Sequence, residues 1–146
     1  MDGSDQHQNQ MKNLLRLEEL AQFLLCLVVL IASDVSWWVY LLLLIGPDIG
    51  MLGYLINTRV GAITYNILHH KGVALLVAAG GGISTYLMLI TESPGSFERL
   101  TVLAGIILYG HASLDRIFGY GLKFRDSFQH THLGWIGKGK GMEQEQ

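Results

Sequence analysis

His111 and Asp115 stand four residues apart, so on a helix they share one face. An imidazole and a carboxylate so placed form half of a divalent-metal site or an acid–base pair. Further groups of the same chemistry recur along the chain. Asp48 follows Pro47, and Asn66, His69, His70 and Lys71 stand close together. Asn66 is three residues before His69 and four before His70, so one of the two histidines can join it on an inward face. His111 and Asp115 are the first candidates for metal ligands or acid–base groups, with Asp48 and His69 next. Asn66 and Tyr120 would orient or stabilise, and Arg116 could hold an anionic head group. Imidazole with carboxylate suits zinc, iron or manganese, and such an ion can acidify a bound water to a pKa near 7. There is no His-Glu-x-x-His and no dense cysteine pattern, so the donor types carry this reading rather than a motif.

Elements that could position these groups are evident from the apolar blocks. The chain has 146 residues, of which 50% are hydrophobic and 15% charged. A soluble domain carries about 25% charged residues. Crossing a bilayer takes about 20 mostly apolar residues, and four segments qualify. They run from about Leu14 to Ser33, from Trp37 to Ile56, from near Val60 to near Ile90, and from Leu100 to about Phe118. The third is long for one span, so a tilt or a break near Lys71-Gly72 is expected. Residues 1–11 are polar and read as a tail without structure, and 119–146 as an interfacial tail that loses order at its end. A cleaved leader is the rival reading of the first block, but Glu18 and Glu19 occupy its basic flank and Ile31-Ala32-Ser33 is a poor cleavage site. Cys26, the single cysteine, reads as a packing residue.

Lys and Arg give the orientation. Lys12, Arg16, Arg59, Arg116, Lys123, Arg125, Lys138 and Lys140 fall at one set of connections. Asp34, Glu92 and Glu98, with Arg99 as the only base, fall at the other. Both termini are therefore expected in the cytoplasm, with Trp37 and Trp38 at the outer interface. In that frame Glu18, Asp48, Asn66, His69, His111 and Asp115 all lie in the cytoplasmic half of the bundle. Ionisable groups inside a span cost about 2.5–3.5 kcal/mol each on insertion scales, so their shared depth is the main functional signal. Gly53, Gly61, Gly80, Gly81, Gly82, Gly105 and Gly110 would let helices approach closely. Pro47 frees a backbone carbonyl in the preceding turn, as happens where a helix lines a polar cavity.

Blander readings apply to the same residues. Histidines on membrane helices often bond helix to helix. Arg116 can snorkel or pair with Asp115. Glu18 suits a helix start, and Lys71 can reach water or Asp48. Proton or cation conduction is a further use of such a cluster. The tail from Gly119 to Gly137 is either an interfacial segment or a lid that brings His130 or His132 to the cavity.

Several motifs together carry a resemblance. They are Pro47-Asp48 with Met51-Leu52-Gly53-Tyr54, Tyr65-Asn66 with His69, and His111 with Leu114-Asp115-Arg116. They continue in Gly119-Tyr120-Gly121-Leu122-Lys123, Thr131-His132-Leu133-Gly134 and Ile136-Gly137. From roughly Lys12 to Lys138 the chain resembles DUF4260, a group of small bacterial integral membrane proteins of unknown function. It differs at Gln129-His130, where that pattern has an acidic residue. The resemblance implies a four-helix membrane protein and supplies no activity.

The expected fold is all-α, a four-helix transmembrane bundle of the plasma membrane with a cytoplasmic C-terminal tail. The expected function is a His/Asp site, metal-dependent or acid–base, acting on a lipid-like substrate. The alternative is a transporter-like or structural protein whose cluster is an interhelical network. The partners implied are the bilayer, a small amphipathic substrate and a further copy of the chain. The near-neutral charge argues against nucleic acid.

Overall fold

The protein, seen in a computed structural model that describes residues 3–90 and 96–137, is built from helices. Helix α1 spans Gly3–Ala32 and α2 spans Trp37–Ile45. A 3₁₀ segment follows over Gly46–Leu55. Helix α3 spans Thr58–His69, α4 Lys71–Ile90 and α5 Ser96–Phe118. Strands β1 (His130–Thr131) and β2 (Gly134–Trp135) pair antiparallel in a small hairpin. Two helical stretches, Trp37–Leu55 and Glu98–Phe118, are long and apolar enough to cross a membrane, and Lys71–Leu87 is a shorter apolar helix.

Several boundaries differ from the sequence reading. Helix α1 begins at Gly3, so the polar segment read as an unstructured tail continues the helix. Its Gln, Met and Lys residues are good helix formers, and from Gln6 to Arg16 the side chains are exposed. The second apolar block is not one α-helix. Pro47 has no N–H to donate, and the chain tightens into ten residues of 3₁₀ geometry, far beyond the usual three or four. Packing holds this stretch. Gly50 and Gly53 lie against α3, where the Thr64 hydroxyl donates to the Gly50 carbonyl at 2.6 Å.

Of the tilt or break expected for the third block, the chain takes the break. Asn57 caps α3, its side-chain oxygen accepting from the Val60 N–H at 2.8 Å. At His70 the backbone turns extended (φ −88°, ψ 112°), and α4 restarts at Lys71. The His70 ring accepts the Gly72 N–H at 3.1 Å, so this histidine works as a helix cap.

Helices α4 and α5 pack most extensively, and Gly105 permits it. A methyl group there would sit 2.5 Å from the Ala78 nitrogen and 2.7 Å from the Ala74 carbonyl oxygen. Gly80 and Gly82 face open space and serve no such contact. Leu30, Val39 and Leu43 form a buried cluster joining α1, α2 and α5. Helix α5 ends at Gly119, whose φ of +87° suits glycine alone, and the Tyr120 N–H returns to the Asp115 carbonyl at 2.9 Å. The chain then folds back on the bundle. Lys123 and Thr131 are buried there, so residues 119–137 form a cap docked on the helices. Glu92, Lys138, Lys140 and the segment 141–146 lie outside the described residues.

Candidate metal centre

Pro47 has a second consequence. In an α-helix its N–H would bond the carbonyl of Leu43, four residues back. That freed carbonyl instead accepts the Nδ1–H of His111 at 2.9 Å, across from α2 to α5. The bond fixes the ring so that Nε2 carries the lone pair. His69 is held the same way within α3, its Nδ1–H donating to the Tyr65 carbonyl at 2.9 Å. Both rings are buried, with His69 3% and His111 1% exposed. Among the described residues neither Nε2 has a hydrogen-bond partner.

Two carboxylates face these two lone pairs. His69 Nε2 lies 3.6 Å from Asp48 Oδ1 and 3.4 Å from Asp115 Oδ2. His111 Nε2 lies 3.4 Å from Asp48 Oδ1 and 3.8 Å from Asp115 Oδ1. The four groups bring one donor atom each within 4.8 Å of one another. A tetrahedron with arms of about 2.0–2.2 Å has edges of about 3.3–3.6 Å. Three of the four His–Asp separations, 3.4–3.6 Å, fall on those edges and the fourth, 3.8 Å, lies just beyond them; all four are longer than well-formed hydrogen bonds. With the rings neutral and the carboxylates ionised these groups repel, a cation between them would relieve it, and the donor set suits zinc, iron or manganese.

Outer partners hold these four side chains in place, as metal-binding histidines and carboxylates commonly require. The Tyr65 hydroxyl donates to Asp115 Oδ2 at 2.6 Å, and the Tyr65 ring stacks on His69 with centroids 3.6 Å apart. Lys123 closes the cap side. Its side chain is buried, its ammonium lies over the Phe128 and Tyr65 rings, and it donates to the Phe128 carbonyl at 2.9 Å. Burial lowers the pKa of Lys123, while the negative charges of Asp115 and Asp48 oppose that shift. Tyr65 and Lys123 were not among the candidates read from sequence. Tyr65 had one available signal, because it precedes His69 by four residues and so shares its face.

The remaining candidates fall into place unequally. Asn66 does orient, but what it orients is the cap. Its amide donates to the Lys123 carbonyl at 2.8 Å and accepts the Lys123 N–H at 2.7 Å. Tyr120 is exposed and outside the cluster. His132 accepts the Leu122 N–H at 2.8 Å, and His130 bonds Asp126 at 2.7 Å, so neither ring joins the four ligands. Arg116 meets Glu19 at 3.4 Å rather than Asp115. Lys71 pairs with Glu19 and Gln22, not Asp48, because the break at His70 turns α4 away from the face of α3. Glu18 is exposed, Gln22 donating to it at 3.2 Å.

Residues 12–136 match the family described as Domain of unknown function (DUF4260), and the chain belongs to it. No curated protein and no solved structure matches the chain.

Proposed function

We propose that this member of the DUF4260 family is a four-helix transmembrane bundle that holds a divalent metal at Asp48, His69, His111 and Asp115. The ion serves hydrolytic or acid–base chemistry on a lipid-like substrate. The membrane reading draws on where the apolar side chains point. Only 22% of Trp37–Leu55 and 28% of Glu98–Phe118 is buried in the fold, whereas the core helix of a soluble protein is mostly covered. Helices α1 and α4 would complete the four spans, placing both termini and the cap on the cytoplasmic side of the plasma membrane.

The single observation that carries the metal is the pair of buried, unpartnered Nε2 atoms, each tautomer fixed by a backbone carbonyl and aimed at two carboxylates. A divalent ion there would supply Lewis acidity. It would also balance the two aspartates, leaving Lys123 as a positive group beside the centre. A cavity of about 780 Å³ is lined by Ile63 and Ile67 of α3 together with Asn66, Lys123 and Phe124; none of the four His/Asp residues lines it, and Lys123 is the group it shares with their surroundings. An amphipathic molecule could lay its apolar part along α3 and its polar end toward Lys123.

The test is elemental analysis of protein purified in detergent without chelator, beside His111→Ala/Asp115→Ala and Asp48→Asn. Near-stoichiometric zinc, iron or manganese in the parent, lost in still-folded variants, is the expected result. No metal in the parent would sink the centre and leave the four residues as an interhelical polar network.

A further inference from the structure

Away from the His/Asp centre, a cavity of about 470 Å³ opens between α1, the end of α5 and the hairpin. Its polar lining is Lys12, Arg16, Glu19, Arg116 and His132. A second cavity of about 580 Å³ shares Lys12, Arg16, Gly119 and Leu133 with it and extends toward Trp135 and Ile136. The charges do not cancel. Three cations face one carboxylate, and both Glu19 oxygens are already engaged, one by Arg116 and the other by Lys71. Lys12 and Arg16 stand one helical turn apart on α1 and have no hydrogen-bond or ion-pair partner among the described residues. His132 accepts the Leu122 N–H on Nδ1, so its neutral ring carries the proton on Nε2 and keeps a donor available.

We infer that this cavity is a binding site for a phosphate group, held by Lys12, Arg16 and Arg116 with His132 as a neutral donor. The donor arrangement selects phosphate over carboxylate. Two guanidinium forks, an ammonium and an imidazole N–H come from three elements, and a carboxylate offers two oxygens where a phosphate offers more. Leu15 and Leu133 give the cavity an apolar wall beside the cations, which suits a phospholipid head group as well as a soluble phosphate compound. The inference rests on the membrane reading only for the lipid as one possible source, and the metal plays no part in it.

Calorimetry on the full chain in an uncharged detergent tests it with two probes, phosphatidic acid, whose monoester phosphate keeps three free oxygens, and inorganic phosphate. One saturable site per chain is expected for at least one probe. Lys12→Gln/Arg16→Gln should weaken it at least about tenfold, the loss of two charge-assisted bonds. Both side chains are exposed, so the variant should melt like the parent and keep the parent's metal content. Arg59→Gln removes a charge elsewhere and should leave binding unchanged. Binding of the lipid alone supports a head-group site, and binding of inorganic phosphate supports a site for soluble phosphates. No saturable binding of either probe, or equal weakening by Arg59→Gln, overturns the inference. A protein without metal that still binds phosphate would remove the proposed centre and leave this site standing.

Discussion

Glu19, Gln22, Lys71 and Arg116 form one polar cluster between α1, α4 and α5, while Asp48, His69, His111 and Asp115 form another between the 3₁₀ segment, α3 and α5. In the first, every group has a partner within the chain. Lys71 bonds Glu19 and Gln22, Arg116 meets the other Glu19 oxygen, and the Tyr109 hydroxyl donates to Gln22 at 2.8 Å. Opposite charges meet, and each group has a partner. The second cluster sets two neutral imidazole lone pairs against two carboxylates, and among the described residues neither Nε2 has a hydrogen-bond partner. Both cost desolvation, but only the first recovers that cost within the chain. Two polar clusters in one small fold can thus have different purposes, and hydrogen-bond satisfaction separates the two.

The largest stability contrast should come from breaking each cluster in turn. Lys71→Met leaves Glu19 largely buried with only the longer Arg116 contact, and should destabilise the fold by about 3 kcal/mol. Asp48→Asn in metal-free protein removes one of two neighbouring like charges, so its stability should hold or rise. Denaturation in mixed micelles measures both. If Asp48→Asn costs as much as Lys71→Met, the second cluster is a self-sufficient network and the contrast fails.

A smaller effect should follow from changing a residue that touches no ligand position. Pro47→Ala restores an N–H for the Leu43 carbonyl, which then no longer needs the His111 Nδ1–H. Loss of such an outer partner typically weakens metal affinity about 10–100-fold. The backbone bond gained offsets the His111 bond lost, so the melting temperature of the metal-free protein should change little. Competition with a chelating dye reads the affinity, and an unchanged value would mean that the carbonyl does not position His111.

The meeting of Asp48, His69, His111 and Asp115 was legible because each is expensive in an apolar span, so their shared depth stood out against Leu, Val and Ile. Length left a tilt or a break open for the third block, and the role of Pro47 was legible from its missing N–H. What stayed hidden depends on tertiary contact. The 3₁₀ stretch needs Gly50 and Gly53 seated on α3, and no local propensity announces it. The partner of Lys71 depends on the turn at His70, which resets helical phase in a way spacing alone does not specify. Lys123 looks like one more cytoplasmic base, and only the fold shows it buried beneath Phe128. The docking of 119–137 likewise turns on the amide pair between Asn66 and Lys123, which are far apart in sequence.

The cap offers the mildest test, through pH. Burial lowers the pKa of His132 from its usual 6.5, and the positive charge of Arg116 lowers it further. A group whose folded value is depressed binds protons more readily when released. The docked cap is therefore fully stable above pH 6.5 and loses stability as pH falls through the folded value. Protonation also puts a hydrogen on Nδ1, where the Leu122 N–H must be accepted. His132→Asn keeps a side-chain acceptor near that N–H but does not titrate. Hydrogen exchange in the segment around Leu122, compared between parent and variant at each pH, cancels the intrinsic pH dependence of exchange. The parent should lose protection relative to His132→Asn as the solution is acidified. Parallel profiles would mean that His132 does not hold the cap, and that the Asn66–Lys123 pair fixes it beside the His/Asp cluster without help.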